Sequence, residues 1–172
     1  MTRILGIDPG SIITGYGIIA IEGNHARHVT HGSIRVNGDE LPDKLRHIFE
    51  QITLLNEKHH PEEMAIEKVF MHKNADSALK LGQARGTAIT ACALQNIKVF
   101  EYTPNQVKQA TVGRGHAAKQ QVQHMIKILL CLQNAPQADA ADALAIALCH
   151  AHTRTFVSRL PKLAGVRRGR LR

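Results

Sequence analysis

The stretch RILGIDPGSIITGYGIIAIEG, residues 3–23, decides the fold that the sequence predicts. Its first six residues form an apolar run that ends in Asp8, and Pro9 and Gly10 follow immediately. Neither of those two residues continues a central strand ladder easily, so the run predicts a short strand with a carboxylate at its carboxyl end. The apolar run at residues 14–23 then predicts a second strand, bounded by glycine turn signals.

The rest of the chain continues this pattern and then changes it. A third strand is predicted at 26–36, and from there helical and strand patterns alternate. The later elements are a helix at 41–60, a strand at 63–69, a helix at 75–94, a strand at 98–102, and helices at 104–112, at 118–132 and from Gln137 onward. Three meandering strands followed by strand–helix alternation predict an α/β fold, with a five-stranded mixed sheet and helices on both faces.

The predicted domain organisation is simple. With 172 residues, of which 44% are hydrophobic, the chain can fill one core, so residues 1–152 are expected to form a single domain. The three cysteines are far apart and form no CxxC motif, which favours a reducing cytoplasmic location. The first ten residues contain neither a signal peptide nor a membrane span, so a soluble protein is expected.

The net charge of +8 is concentrated in two blocks. Residues 153–172 carry seven basic residues and no acid, which predicts a basic, flexible C-terminal tail. Residues 68–127 carry nine basic residues against two acids, and this block lies inside the predicted fold. A folded basic face indicates a nucleic-acid partner.

Four carboxylates stand in apolar or small-residue surroundings. Asp8 and Glu67 end the first and fourth predicted strands, and Asp139 and Asp142 lie at i and i+3 on one face of the last helix. Because functional groups gather at strand ends in α/β sheets, the four side chains are expected to converge. Converging carboxylates repel one another unless hard cations separate them, so the set predicts Mg²⁺, with two ions acting on a phosphodiester.

Each acid also has a purely structural interpretation. Asp8 before Pro-Gly can start a turn, and Glu67 can be a solvated strand end. Asp139 can cap the last helix, and Asp142 can complement its dipole. These interpretations leave unexplained why the segment between the acids is basic, as phosphate binding beside metals requires.

Four stretches together resemble the RuvC family of Holliday-junction resolvases over roughly residues 3–150. They are ILGIDPGSIITGYGII (4–19), AIEKVFMHKNADSALKLGQARG (65–86), VKQATVGRGHAAKQQVQHM (107–125) and PQADAADALAIA (136–147). The resemblance implies a ribonuclease H-like fold, a homodimer, and Mg²⁺-dependent paired incisions across a four-way DNA junction. It also implies a branch-migration helicase as partner, and Mn²⁺ as a substitute for Mg²⁺.

The resemblance assigns roles to individual residues. The family's catalytic, metal-binding acids correspond to Asp8, Glu67, Asp139 and Asp142. Lys108 and Lys119 match basic residues beside the family's active site, where they would hold the scissile phosphate, and Phe70 matches its junction-contacting aromatic. The other predicted DNA-binding residues belong to the basic block: Lys73, Lys80, Arg85, Arg114 and again Lys119.

Other interpretations remain open at this stage. The stretch GIDPGSIITGYG (6–17) also resembles the phosphate loop of sugar-kinase and actin-like ATPases, but that fold needs two lobes and this chain has room for one. A ribonuclease acting on RNA–DNA hybrids and a junction-binding protein without catalysis are two further possibilities. His116 has no assigned role, and His150 and His152 are expected at the surface rather than supporting the acids.

Overall fold

A five-stranded mixed sheet forms the centre of the protein, as the sequence predicts. The structure is a computed structural model and describes residues 1–23, 25–68, 75–113 and 118–159. The strand order is β3-β2-β1-β4-β5, with antiparallel β1–β2 and β2–β3 pairs and parallel β1–β4 and β4–β5 pairs. The strands are β1 (Thr2–Asp8), β2 (Ile13–Glu22), β3 (His25–Arg35), β4 (Glu63–Glu67) and β5 (Lys98–Tyr102).

Five described helices cover both faces of this sheet. They are α1 (Leu41–His59), α2 (Ala75–Ala93), α3 (Pro104–Val112), α4 (Lys119–Leu129) and α5 (Ala138–Arg159). One apolar cluster joins the sheet to α1 and α2, and a second joins the opposite face to α3, α4 and α5. No described helix is both long and apolar enough to cross a membrane.

Local chemistry explains where the helices near the site begin and end. The Thr103 hydroxyl accepts from the backbone N–H of Gln106, whose side chain accepts from the backbone N–H of Thr103, so a capping box starts α3. Gly113 ends that helix in the left-handed region, at φ 73°. Helix α4 ends at Leu129, earlier than predicted, because Cys131 takes a left-handed conformation at φ 50°.

Helix α5 lies unusually close to the sheet. A Cβ atom on Gly15 would collide with the backbone oxygen of Asp139, and one on Gly17 would sit 2.6 Å from Leu144 Cδ2. Strand β1 approaches α5 equally closely, because a Cβ on Gly6 would collide with the backbone of α5. Glycines in the strands and alanines in the helix therefore let the two backbones approach, which explains why α5 is apolar on nearly every face.

The structure differs from the expected boundary of the C-terminal tail. Helix α5 continues through residues 153–159, so the first part of that segment is helical. The hydroxyl of Thr153 donates to the carbonyl of Cys149, and Arg154 lies 3.3 Å from the Glu63 carboxylate. These contacts extend the helix past the point where apolar periodicity ends, and residues 160–172 lie outside the described residues.

Candidate active site

Asp8 and Glu67 end adjacent parallel strands in the middle of the sheet. Ile7 of β1 pairs with Ile66 of β4, so the next residue of each strand lies at the same edge. Side chains alternate along a strand, and Ala65 packs in the cluster on the α5 face. Asp8 and Glu67 therefore both project toward the face that α5 covers.

Helix α5 brings the other two acids to this edge. Asp8 pairs with Gly15 across β1 and β2, and the backbone of Asp139 rests directly on Gly15. Asp139 occupies the first turn of α5, and Asp142 follows one turn later on the same face. The close helix–sheet packing thus places the carboxylates of three elements around one point.

A cleft of about 270 Å³ opens at this point. Asp8, Glu67 and Asp142 form its acidic wall, and Lys108 and Lys119 form its basic wall. The remaining lining residues are Pro104, Val107, Val122 and Ile146. Asp139 is not among the lining residues, but its charge contributes to raising the pKa of Asp8.

The acids strongly perturb one another. Burial, followed by the charges of Asp142, Glu67 and Asp139, raises the pKa of Asp8 from 3.8 to about 7. Burial and the charge of Asp142 also raise the pKa of Glu67, and burial raises that of Asp142 itself. The cleft therefore carries negative charge that the protein only partly compensates.

The two lysines supply that partial compensation. The ammonium of Lys119 lies 3.8 Å from Asp142 Oδ2, and its side chain is 81% exposed. Lys108 and Lys119 both act to lower the pKa values of Glu67 and Asp142, against the effect of burial. Lys119 thus stands at the solvent-exposed side of the cleft.

The donor chemistry of this cleft fits a divalent cation. Carboxylate oxygens are the ligands that Mg²⁺ and Mn²⁺ prefer, and a cation would remove the repulsion that raises the pKa of Asp8. Within the described residues, no three His, Cys, Asp or Glu side chains are already gathered as closely as a completed metal site requires.

The other predicted DNA-binding residues are placed differently. Lys80 is paired with Asp76 at 2.7 Å and lines a separate groove between α1 and α2. Arg85 donates from Nε to the backbone oxygen of Glu67 at 3.0 Å and pairs with Glu101 at 2.9 Å. Three further residues predicted to bind DNA lie outside the described residues: Phe70, Lys73 and Arg114.

The expectation for His150 is wrong, because this side chain is only 3% exposed. Its Nε2 donates to Glu63 Oε2 at 2.8 Å, and its Nδ1 accepts from the Tyr102 hydroxyl at 2.6 Å. Burial, partly offset by Glu63, lowers the pKa of His150 and keeps the ring neutral for both bonds. Sequence pattern gave no signal for these partners, which come from two strands, whereas His152 is exposed as expected.

Three comparisons with known proteins agree on one family. The profile described as "Crossover junction endodeoxyribonuclease RuvC" matches residues 4–150. A protein of that name from Hahella chejuensis is 54% identical over 172 residues, covering 100% of both chains. Another from Shewanella baltica is 58% identical over 153 residues, covering 89% of this chain and 88% of its own.

Solved structures extend the likeness to three dimensions. "T. thermophilus RuvC in complex with Holliday junction substrate" is similar with a TM-score of 0.85 and 32% identity, over 92% of this chain and 98% of that one. The yeast mitochondrial Holliday junction resolvase Ydc2 has a TM-score of 0.61 at 16% identity, over 93% of this chain and 86% of its own, which shows the fold alone. The predicted ribonuclease H-like fold is thereby confirmed.

Proposed function

The chain belongs to the RuvC family of crossover junction endodeoxyribonucleases, and we propose that its acidic cleft hydrolyses phosphodiester bonds at four-way DNA junctions. Its activity is that of a junction-resolving endonuclease. One observation supports the assignment of the chemistry to this cleft. Carboxylates from β1, β4 and α5 surround it, and burial together with the charges of the neighbouring acids raises the pKa of Asp8 to about 7.

Divalent-metal dependence follows from family membership, and we assign its ligands to the four acids. Asp8 and Glu67 would hold cations from the strand ends, and Asp139 and Asp142 would hold them from the first turns of α5. Two Mg²⁺ ions, or Mn²⁺ in their place, would supply Lewis acidity at the phosphodiester when bound. The protein's part is to hold these oxygens on two strands and one helix, whose relative positions the glycine contacts keep fixed.

The lysines act on the DNA side of the cleft. Lys119 projects into solvent beside Asp142, so its ammonium meets the scissile phosphate as the strand enters. Lys108, on α3, stands partly buried in the same lining. Both contribute positive charge where negative charge develops on the phosphoryl oxygens, and neither needs to transfer a proton.

The proposed assembly follows from the symmetry of the substrate. A four-way junction has approximate two-fold symmetry, so a homodimer would present two clefts to strands of like polarity and make paired, symmetric nicks. Sedimentation of the full chain with and without junction tests this, with one dimer per junction as the expected result. A branch-migration helicase is the proposed further partner, and the three free cysteines support the proposed cytoplasmic location.

The basic block predicts how junction binding responds to salt. The basic block at 68–127, even without Arg85, which is paired with Glu101, would release counterions from phosphates, so junction affinity should fall steeply between 50 and 200 mM salt. Fluorescence anisotropy with labelled junction and no divalent cation measures this slope. A flat response would contradict a phosphate-contacting face.

A cleavage assay tests the proposed function directly. Labelled four-way junction, linear duplex and RNA–DNA hybrid are incubated with and without Mg²⁺, using the unaltered protein, Asp8→Asn and the control Asp43→Asn. Asp43 is an acid of α1 that pairs with Arg46 on the surface. Paired nicks only in the junction, dependent on Mg²⁺ and on Asp8 but not on Asp43, are expected.

The other outcomes of that assay distinguish the remaining interpretations. Cleavage of the hybrid alone would identify a ribonuclease built on the same fold. Tight junction binding without any cleavage would identify a non-catalytic binding protein. Cleavage that survives Asp8→Asn would remove the acidic cleft from the mechanism.

A further inference from the structure

Arg85 makes two contacts that tie α2 to the strand end at the active site. Its Nε donates to the backbone oxygen of Glu67 at 3.0 Å, and its Nη2 lies 2.9 Å from Glu101 Oε1. The side chain is 19% exposed. Helix α2 packs on the face of the sheet opposite the acids, so Arg85 reaches the end of β4 from behind the cleft.

Glu67 needs such a contact because it is the last residue of its strand. Its pairing with β1 has already ended at Ile66, whereas on the β5 side Glu67 still pairs with Tyr102. The next residue, Lys68, donates its backbone N–H to the Tyr102 oxygen, and beyond it the chain leaves the described region. The Arg85 guanidinium fixes the carbonyl of Glu67 at the point where the ladder stops.

We propose that Arg85 is a positioning residue, which orients the Glu67 carboxylate for cation binding through the strand-end carbonyl and does not contact DNA. The inference rests on the proposed function, since it assigns a role within that same site. It also replaces the sequence-based expectation that Arg85 belongs to the DNA-binding set. A guanidinium suits the role because its planar fork can donate to a carbonyl and a carboxylate at the same time, which a lysine ammonium does less well.

The charges around Glu67 support a mechanical rather than an electrostatic action. Lys108 and Lys119 line the cleft beside the Glu67 carboxylate, whereas Arg85 is not part of that lining. The Arg85 guanidinium instead forms an ion pair with Glu101, at 2.9 Å. Because the Arg85 side chain is only 19% exposed, a DNA phosphate has little access to the donors that these two contacts leave over.

The first test separates positioning from DNA contact. Full-length protein is compared with Arg85→Gln, Arg85→Lys and the control Arg46→Gln, whose arginine lies on the surface of α1 and pairs with Asp43. Junction affinity is measured against salt without divalent cation, and single-turnover cleavage is measured against Mg²⁺ at saturating protein. Arg85→Gln should lower the maximal rate about tenfold or more and raise the Mg²⁺ concentration needed, with affinity and salt slope unchanged.

The conservative variant sharpens this result. Arg85→Lys keeps the charge and can make one of the two contacts, so it should recover part of the lost cleavage rate. A DNA contact would give the opposite pattern, with weaker binding, a salt slope reduced by about one, and unchanged Mg²⁺ dependence. That pattern would overturn the proposal.

A double-mutant cycle on DNA-free protein separates positioning from general stability. Mn²⁺ binding is measured by calorimetry for unaltered protein, Arg85→Gln, Glu67→Gln and the double variant, beside thermal unfolding of each. If Arg85 acts through Glu67, Arg85→Gln weakens Mn²⁺ binding in the unaltered background and not in the Glu67→Gln background. An equal loss in both backgrounds would overturn the proposal.

Two further features keep the test decisive. If Arg85→Gln fails to fold, Glu101→Gln replaces it, because this side chain is 42% exposed and its substitution weakens the hold on Arg85 without removing the arginine. Glu101→Gln should then give a smaller loss of Mn²⁺ affinity and a smaller rise in the Mg²⁺ concentration needed for cleavage. No effect from Glu101→Gln in that case would count against the proposal. The metal-binding cycle also remains valid if the unaltered protein fails to cut junctions, so failure of the proposed function is distinguishable from failure of the Arg85 role.

Discussion

Replacing Asp8 by asparagine should stabilise the metal-free protein while abolishing cleavage. The pKa of Asp8 is about 7 in the folded protein, against a usual value of 3.8, so the fold favours its protonated form. The ionisation penalty is therefore absent below pH 3.8, grows as the pH rises, and is complete above about 7. The difference between the two pKa values corresponds to about 4 kcal/mol at pH 8, which relaxation of the cleft reduces to about 1–4 kcal/mol.

Thermal unfolding across pH measures this penalty. For a chain of this size, each kcal/mol shifts the midpoint by about 2–4 °C, so Asp8→Asn should melt several degrees above the unaltered protein at pH 8 in EDTA. The difference should shrink by more than half at pH 5, where most of the penalty has not yet developed. Mg²⁺ should stabilise the unaltered protein more than Asp8→Asn, because only the former offers the full set of carboxylates.

The control is Asp43→Asn, which removes a surface carboxylate paired with Arg46. It should change the free energy of unfolding by about 1 kcal/mol or less at either pH. Equal melting of Asp8→Asn and unaltered protein at pH 8, or a difference that grows toward low pH, would refute the electrostatic reasoning. Loss of junction binding together with cleavage would instead make Asp8 a structural residue.

Three further substitutions probe the packing, the basic wall and the buried histidine. Gly15→Ala should force α5 away from β2, which lowers the free energy of unfolding by about 1–3 kcal/mol and removes most of the cleavage activity. The control Gly82→Ala should not lower the free energy of unfolding, because a Cβ there meets no described atom within 4 Å. Lys119→Ala should lower the single-turnover rate about 100-fold with little change in junction affinity, and a binding defect of equal size would reassign it to DNA anchoring. His150→Ala should destabilise the fold by about 1–3 kcal/mol, because it removes the buried partner of the Tyr102 hydroxyl and leaves Glu63 with its Arg154 contact. An altered Mg²⁺ requirement would contradict a purely structural role.

Local sequence signals predict most of this fold because each one is satisfied locally. The apolar run ending at Asp8 and the Pro-Gly after it define β1, and Thr103 with Pro104 defines the start of α3. Convergence of Asp8 and Glu67 also follows from sequence, since parallel strands in one sheet end at the same edge. The sequence pattern therefore predicts each helix or strand, its direction in the sheet and the residue at which it ends.

Contacts between distant elements were not predictable in the same way. Arg85 was expected on a DNA-binding face, yet its partners are a carbonyl on β4 and a carboxylate on β5. His150 was expected at the surface, yet Glu63 lies 87 positions away in sequence and satisfies one of its ring nitrogens. Periodicity reports which face of a helix is apolar, but it does not report which polar partner the fold brings to a polar residue on that face.

The close packing of α5 and the charge of the site have the same physical origin. A helix of larger side chains would stand further from the sheet, leaving Asp139 and Asp142 distant from Asp8 and leaving all three hydrated. Alanines on α5 and Gly15 on β2 remove that distance, and the resulting burial is the largest cause of the raised pKa of Asp8. The small residues that make α5 easy to bury thus also create the unbalanced negative charge of the cleft, which the divalent cation of the proposed mechanism would relieve.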